Sequence, residues 1–352
     1  MEEIKSNVKH KYFAAANSYN GFINYFDKVF DSKSYNRIYV LKGGPGTGKS
    51  SFMKNVSAHF EQKECFVEEI YCSSDPHSLD GVIIRKNGNS VAILDGTAPH
   101  ERDAITPGAI DEIINLGVGW DSRFLTAQRD EILSISKEKA LSYKTAYGYL
   151  KIAGQAYEFI NNLYKDKFDI FKAKTKAETL LKDIPVENSG KIYTRLISSF
   201  GRYGSYRLST LENMDLKLIS ICGTEFSAAL FLNCCFDVLK KKRINIIHLP
   251  CPLDPTHTDA IYLPDHKLAI VCGDGEINAN DYTSFSATDT ERIRAAERIK
   301  EESLVEAKRW FTIASNLHFR LEEIYGNAMN FEINNQTLDQ KIKEIENILD
   351  FA

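Results

Sequence analysis

The 352-residue sequence lacks several features that mark specialised classes of protein. Its formal net charge is only -4, so there is no global basic field of the kind that dedicated nucleic-acid-binding proteins carry. The seven cysteines are scattered, without the paired spacing of a zinc site, and are expected to be free thiols of a reducing compartment. Residues 1–13 are charged and lack the apolar core of a secretory leader.

Long apolar runs are also missing. The most hydrophobic stretch, residues 218–239, contains Glu225, Asn233 and Asp237, which a single membrane span would not tolerate. The composition is otherwise ordinary, with 43% hydrophobic and 26% charged residues, and supports packed cores. We therefore expect a cytoplasmic protein with no membrane partner, and the length favours two domains.

A glycine-rich segment between a strand-like and a helix-like stretch stands out. Residues 43–50 fit the pattern GxxxxGK[ST], residues 37–41 read as a strand, and the apolar spacing of residues 50–62 predicts a helix. Backbone N–H groups of such a loop can turn inward onto phosphate where glycine permits the dihedral angles, and the helix N terminus adds its dipole. The predicted nucleotide-binding residues are Gly43, Gly44, Pro45, Gly46, Thr47, Gly48, Lys49, Ser50 and Ser51.

Further chemistry is expected around this loop. Lys49 is the expected catalytic cation on the β- and γ-phosphates, while Ser50 and Asp95, the last residue of an apolar strand, are expected to hold Mg²⁺. Asp75 and Asp80 follow a second strand and are candidates to activate water or an acceptor hydroxyl, with a turn or capping role as the equal alternative. His100 is a candidate sensor of the γ-phosphate.

The second half of the sequence reads as a degenerate copy of the first. A shift of 179 aligns residues 37–80 with 216–259 without a gap, and a shift of 177 aligns the strand after the next hairpin. The copy has lost the cation and both metal ligands: Lys49 matches Ala228, Ser50 matches Ala229 and Asp95 matches Cys272. We expect the second copy to keep the fold and to bind no nucleotide.

Helical stretches follow each copy, at 126–163 with 171–181 and at 290–325 with 338–349. The predicted fold is α/β, a three-layer α/β/α core duplicated in tandem, each copy followed by a helical hairpin. The predicted units are 1–188, with a core to about 121 and an arm over 122–188, and 189–352, with a core to about 280 and an arm over 281–352. The arms either pack on their cores or project as a lid or a surface for a protein partner.

Together, the GGPGTGKSS loop, the CSSDPHSLDGVI and ILDGTAPH segments and the tandem repeat resemble the P-loop NTPases. Within that superfamily the layout is similar to a little-characterised bacterial family of ATPase-like or nucleotide-kinase-like proteins, in which both halves can carry the loop. The resemblance implies the P-loop NTPase fold and ATP with Mg²⁺ as ligands. It brings no known substrate.

Three functions remain open: a Mg-dependent ATPase, a kinase that transfers the γ-phosphate to a small molecule or nucleotide, and a module that senses ATP without turnover. The GPGTGKS form resembles AAA+-type loops, which favours the first. Gly96 follows Asp95 where many ATPases carry a water-activating Glu, which favours the other two. No convincing guanine-reading [NT]KxD pattern is present, which favours ATP over GTP.

Overall fold

The computed structural model describes residues 9–350, so the expectations for residues 1–8, including the lack of a leader, lie outside the described range. The chain has an α/β fold with two six-stranded sheets, each mixing parallel and antiparallel strands, and two separate two-stranded hairpins. Among the helices of residues 9–350, none combines the length and the apolar character that a bilayer span requires.

The first half builds one sheet in the order β1-β5-β6-β7-β4-β8, and β2 and β3 form a separate hairpin. The strand predicted at 37–41 is confirmed as β4, and Asn87 and Gly88 form the turn between β6 and β7. The strands are β1 His10–Phe13, β2 Ala15–Ser18, β3 Gly21–Asn24, β4 Arg37–Lys42, β5 Phe66–Tyr71, β6 Leu79–Lys86, β7 Asn89–Asp95 and β8 Asp111–Asn115.

The second half repeats this topology strand for strand. Its sheet has the order β9-β13-β14-β15-β12-β16, and β10 pairs with β11 as a separate hairpin. The predicted duplication is therefore confirmed as two repeat-like halves. The strands are β9 Ile192–Thr194, β10 Ser198–Gly201, β11 Gly204–Arg207, β12 Lys217–Cys222, β13 Ile246–Pro250, β14 Thr258–Leu263, β15 Leu268–Cys272 and β16 Ile277–Asn278.

The alignment of the two copies needs one correction. The shift of 179 is wrong in the first core strand, because β4 begins at Arg37 and its counterpart β12 at Lys217, a shift of 180. Gly43 and Gly223, which both have a positive φ, then coincide. The loop between strand and helix spans residues 43–48 in the first copy but only 223–224 in the second, because the helix that follows begins at Glu225, earlier than a shift of 179 would place it.

Apart from the four-residue helix at Phe26–Val29, the helices that cover the two sheets lie on their outer faces. The two sheets share one continuous hydrophobic core. Strands β4, β6 and β7 contribute side chains such as Val40 and Ile83 to it from the first sheet. Strands β13, β14 and β15 contribute side chains such as Leu249 and Tyr262 from the second. Alternate residues such as Tyr39 and Leu41 point outward to helices. The predicted three-layer α/β/α core is therefore wrong in its layering, because the two sheets face each other where a second helical layer was expected.

Each half supplies a helix that packs on the sheet of the other half. Helix α5 packs on the outer face of the second sheet, and α8 packs on the outer face of the first. The long helices α4 and α7 pack against each other along their length, with Ile135 near Leu321 and Ile160 near Ile293. The helices are α1 Phe26–Val29, α2 Lys49–Gln62, α3 Ser122–Ala127, α4 Arg129–Lys167, α5 Ile170–Leu180, α6 Glu225–Lys241, α7 Ala287–Asn327 and α8 Phe331–Asp350.

The first three long helices were predicted close to their observed bounds, whereas α8 begins at Phe331, seven residues before the predicted start at 338. The prediction that each pair forms a hairpin on its own core is wrong. Helices α4 and α7 have 39 and 41 residues, and each carries the chain across to the opposite sheet before the next helix begins. Backbone hydrogen bonds fix both crossings: Asp169 N–H donates to Tyr282 O, and Asn330 N–H donates to Gly119 O.

Candidate active site

The predicted phosphate loop joins the end of β4 to the start of α2. Gly43, Gly46 and Gly48 have φ angles of 153°, 69° and 82°, a region that side-chain-bearing residues rarely adopt. Gly48 is the N-cap of α2 and has no side chain with which to cap the first-turn N–H groups. These amides are therefore left for another acceptor at the positive end of a 14-residue helix.

The Lys49 amine lies inside this loop. Its Nζ donates to Gly43 O at 2.7 Å and Gly44 O at 2.9 Å, and it lies 3.7 Å from Asp95 Oδ2. Parallel pairing of β4 with β7 sets Leu41 opposite Asp95, which brings the carboxylate to the mouth of the loop. The structure thus brings together Lys49 and Asp95, two predicted site residues that lie 46 positions apart in the sequence.

The two predicted metal ligands have different surroundings. Ser50 Oγ accepts a hydrogen bond from Leu79 N–H at 2.9 Å, which leaves its second lone pair free. Asp95 Oδ1 accepts from Thr97 N–H at 2.9 Å and from Thr97 Oγ1 at 2.6 Å, so Oδ2 is the oxygen that faces Lys49. Ser51 is exposed on the first turn of α2.

Asp80 lies beside this pair in a buried position. Its Oδ2 is 4.0 Å from His100 Nε2, and ligand atoms of Asp80, Asp95 and His100 all lie within 4.8 Å of one another. Burial raises the pKa of Asp80 to about 6, and the Asp95 carboxylate adds to this, while His100 and Lys49 oppose it. A carboxyl with a pKa close to neutrality is suited to proton transfer.

The other candidate base has a structural role. Asp75 Oδ1 accepts from His77 N–H at 3.2 Å and Asp75 O accepts from Ser78 N–H at 2.9 Å, so the residue forms the turn between β5 and β6. This is the turn-forming alternative named for it. Asp75 is not part of the group formed by Asp80, Asp95 and His100.

The end of α7 and the start of α8 pack against the glycine-rich loop of the first half. A Cβ on Gly46 would lie 2.3 Å from Glu322 O at the end of α7, and one on Gly48 would lie 3.5 Å from the ring of Phe331 at the start of α8. Asn334 Nδ2 donates to Thr47 O at 2.9 Å in a buried bond. Sequence reasoning missed these neighbours, because no local signal indicates that a helix from the second copy reaches the loop of the first.

The corresponding loop of the second half is satisfied by its own side chains. Thr224 caps α6 by accepting from Ser227 N–H at 3.2 Å. Glu225 at the first position of α6 forms an ion pair with the buried amine of Lys300. An anion would meet a capped helix N terminus and a carboxylate here.

A comparison with known proteins found no relative that could identify the chain. No family model matches the sequence, and no curated protein and no solved structure is significantly similar to it.

Proposed function

We propose that the first half binds Mg-ATP and hydrolyses it, and that the second half is a nucleotide-free scaffold. The observation that carries this proposal is the position of Lys49. Its amine occupies the loop and bonds to the carbonyl oxygens of Gly43 and Gly44, while the N–H groups that begin α2 lack a side-chain cap. A phosphate chain would give both kinds of donor an acceptor.

The residues present fit ATP and Mg²⁺. The glycines of the loop allow a phosphate to approach its backbone closely. The Lys49 amine can exchange its hydrogen bonds to two neutral carbonyl oxygens for bonds to the β- and γ-phosphates. Ser50 Oγ and Asp95 Oδ2 are oxygen donors of the kind that Mg²⁺ prefers. Bound Mg²⁺ would neutralise charge that develops on the phosphates.

The remaining chemistry falls to Asp80 and Lys49. Asp80 would take the proton of the attacking water, since a carboxylate whose pKa is raised to about 6 is a better base than an exposed one. Lys49 would stabilise negative charge on the transferred phosphoryl group. The P-loop NTPase assignment rests on the unit formed by β4, the loop and α2, together with Asp95 at the end of β7.

A kinase is the second candidate, and one observation favours it. Asp95 is followed by Gly96, whose N–H donates to Leu41 O, so a glycine stands where a water-activating Glu would follow the metal ligand. Asp80 would then serve the hydroxyl of an acceptor instead of water.

Release of phosphate from Mg-ATP by the purified full-length chain, with no acceptor added, tests the proposal. We expect turnover in the wild type and a loss of at least about 100-fold in Lys49→Ala, because a charge-stabilising donor is removed. Lys172→Ala, an exposed lysine on α5, is the matched control and should keep wild-type turnover. Equal turnover in Lys49→Ala would contradict the proposal, and turnover only with an added metabolite would favour the kinase.

A further inference from the structure

His100 has an unsatisfied nitrogen inside the protein. The residue is only 5% exposed, and its Nε2 has no hydrogen-bond partner among residues 9–350. The nearest carboxylate oxygen, Asp80 Oδ2, lies at 4.0 Å, beyond hydrogen-bond distance. Buried polar atoms almost always have a partner, so this nitrogen calls for one that the protein itself does not supply.

The imidazole ring is held so that this nitrogen faces the two carboxylates. Its ring stacks on Phe26 with centroids 4.4 Å apart and planes inclined by 14°. Phe26 belongs to the short helix α1 and is fully buried in the core shared by the two sheets. The direction of Nε2 is therefore set by packing.

Two carboxylates complete the cluster. Thr97 donates two hydrogen bonds to Asp95 Oδ1, so Oδ2, which Lys49 faces at 3.7 Å, is the oxygen on the side of Asp80 and His100. One ligand atom each from Asp80, Asp95 and His100 lies within 4.8 Å of the others, so small side-chain shifts would bring all three onto one ion. Two carboxylates and one imidazole form a ligand set of net negative charge.

We propose that Asp80, Asp95 and His100 form a binding site for a divalent transition-metal cation of the Mn²⁺ type, and that it fills without nucleotide. Imidazole nitrogen is a ligand of transition metals, whereas Mg²⁺ and Ca²⁺ prefer oxygen alone. The site shares Asp95 with the proposed Mg²⁺ site and Asp80 with the proposed base, but needs neither Ser50 nor the glycine loop. It therefore does not depend on the proposed function.

The second half provides an internal comparison. Asp259 takes the place of Asp80 and Cys272 that of Asp95, and no histidine occurs in residues 273–276 between β15 and β16. Asp259 Oδ2 accepts from Ser198 Oγ at 2.8 Å, so its carboxylate already has a partner. This second group should not bind the ion, which makes Asp259→Asn the matched control.

The test is a Mn²⁺ titration of the nucleotide-free full-length chain after chelator treatment, with free Mn²⁺ followed by electron paramagnetic resonance. We expect one Mn²⁺ per chain, at least tenfold weaker binding in His100→Ala and in His100→Gln, and no change in Asp259→Asn. A hundredfold excess of Mg²⁺ should not displace the ion. Thermal unfolding of each variant establishes that it is folded.

Lys49→Ala separates this site from the nucleotide site. Removing an amine 3.7 Å from Asp95 Oδ2 should keep or strengthen Mn²⁺ binding, although the same variant should lose ATP. The metal proposal is overturned if the wild type binds no Mn²⁺ at one per chain, or if folded His100 variants bind it as the wild type does. In either case His100 is a buried neighbour of Asp80 and not a metal ligand.

Discussion

At the scale of single residues, Gly46 has two reasons to be glycine. The sequence motif explains it by the approach of a phosphate, and its φ of 69° agrees with the turn that this requires. The structure adds a second reason, because the end of α7 leaves no room for a side chain there. Such a contact between copies cannot be read from the loop sequence.

We predict that Gly46→Ala destabilises the chain more than Gly88→Ala does. Gly88 also has a positive φ, 79°, but a Cβ there would meet nothing within 4 Å. Gly88→Ala should therefore cost about 1 kcal/mol of backbone strain, and Gly46→Ala at least about twice that, because its Cβ would lie 2.3 Å from Glu322 O. Urea unfolding of both variants measures the difference, and equal values would contradict the packing described for α7.

The partly buried His248 predicts how stability depends on pH. Burial lowers the pKa of His248 from 6.5 to about 4, and the nearby cations of Lys240 and Lys28 add to this. The unfolded state then binds more protons than the folded state between pH 6.5 and pH 4, so stability is lost as the pH falls through that window. His248→Gln should reduce the slope by about 1.4 kcal/mol per pH unit, measured by urea unfolding across pH 4 to 7. An unchanged slope would show that His248 does not contribute.

At the scale of elements, the sequence predicts what forms but not where it packs. The apolar spacing of α8 predicts which face of the helix is buried, and so does the spacing of α5. Neither pattern predicts which of the two similar sheets that face packs on. The exchange of helices between the halves depends on the lengths of α4 and α7 and on short connections such as residues 328–330, which are properties of the whole chain.

Residues of α8 should therefore stabilise the first half, from which they are far removed in sequence. Ile345 is fully buried with Tyr39, Phe60 and Val91. Ile345→Ala should cost about 2–5 kcal/mol, whereas Ile333→Ala, at 37% exposure on the same helix, should cost clearly less. Chemical denaturation of both variants checks this, and similar losses would argue against the packing of α8 on the first sheet.

At the scale of the whole molecule, the two copies are packed together through a shared core. They share the core between the sheets, and each supplies a helix that covers the sheet of the other. The sequence predicted the duplication because collinear matches persist over about sixty residues. It could not predict the layering, because strands buried on both faces look alike whether a helix or a second sheet covers them.

A fragment of residues 1–188 should consequently fail to fold alone. It would expose the inward side chains of β4, β6 and β7 and lack the cover of α8. We expect no cooperative unfolding transition in circular dichroism for the fragment, and recovery of one when residues 189–352 are produced with it. A cooperative transition of the isolated fragment would favour two independent domains.

The central claim is that one half binds the nucleotide and the other does not. Isothermal titration of the full-length chain with ATP and Mg²⁺ tests it most directly, alongside Lys49→Ala and Lys172→Ala. The account predicts one site per chain in the wild type and in Lys172→Ala, and none in Lys49→Ala. Two sites per chain, or binding that survives in Lys49→Ala, would contradict it.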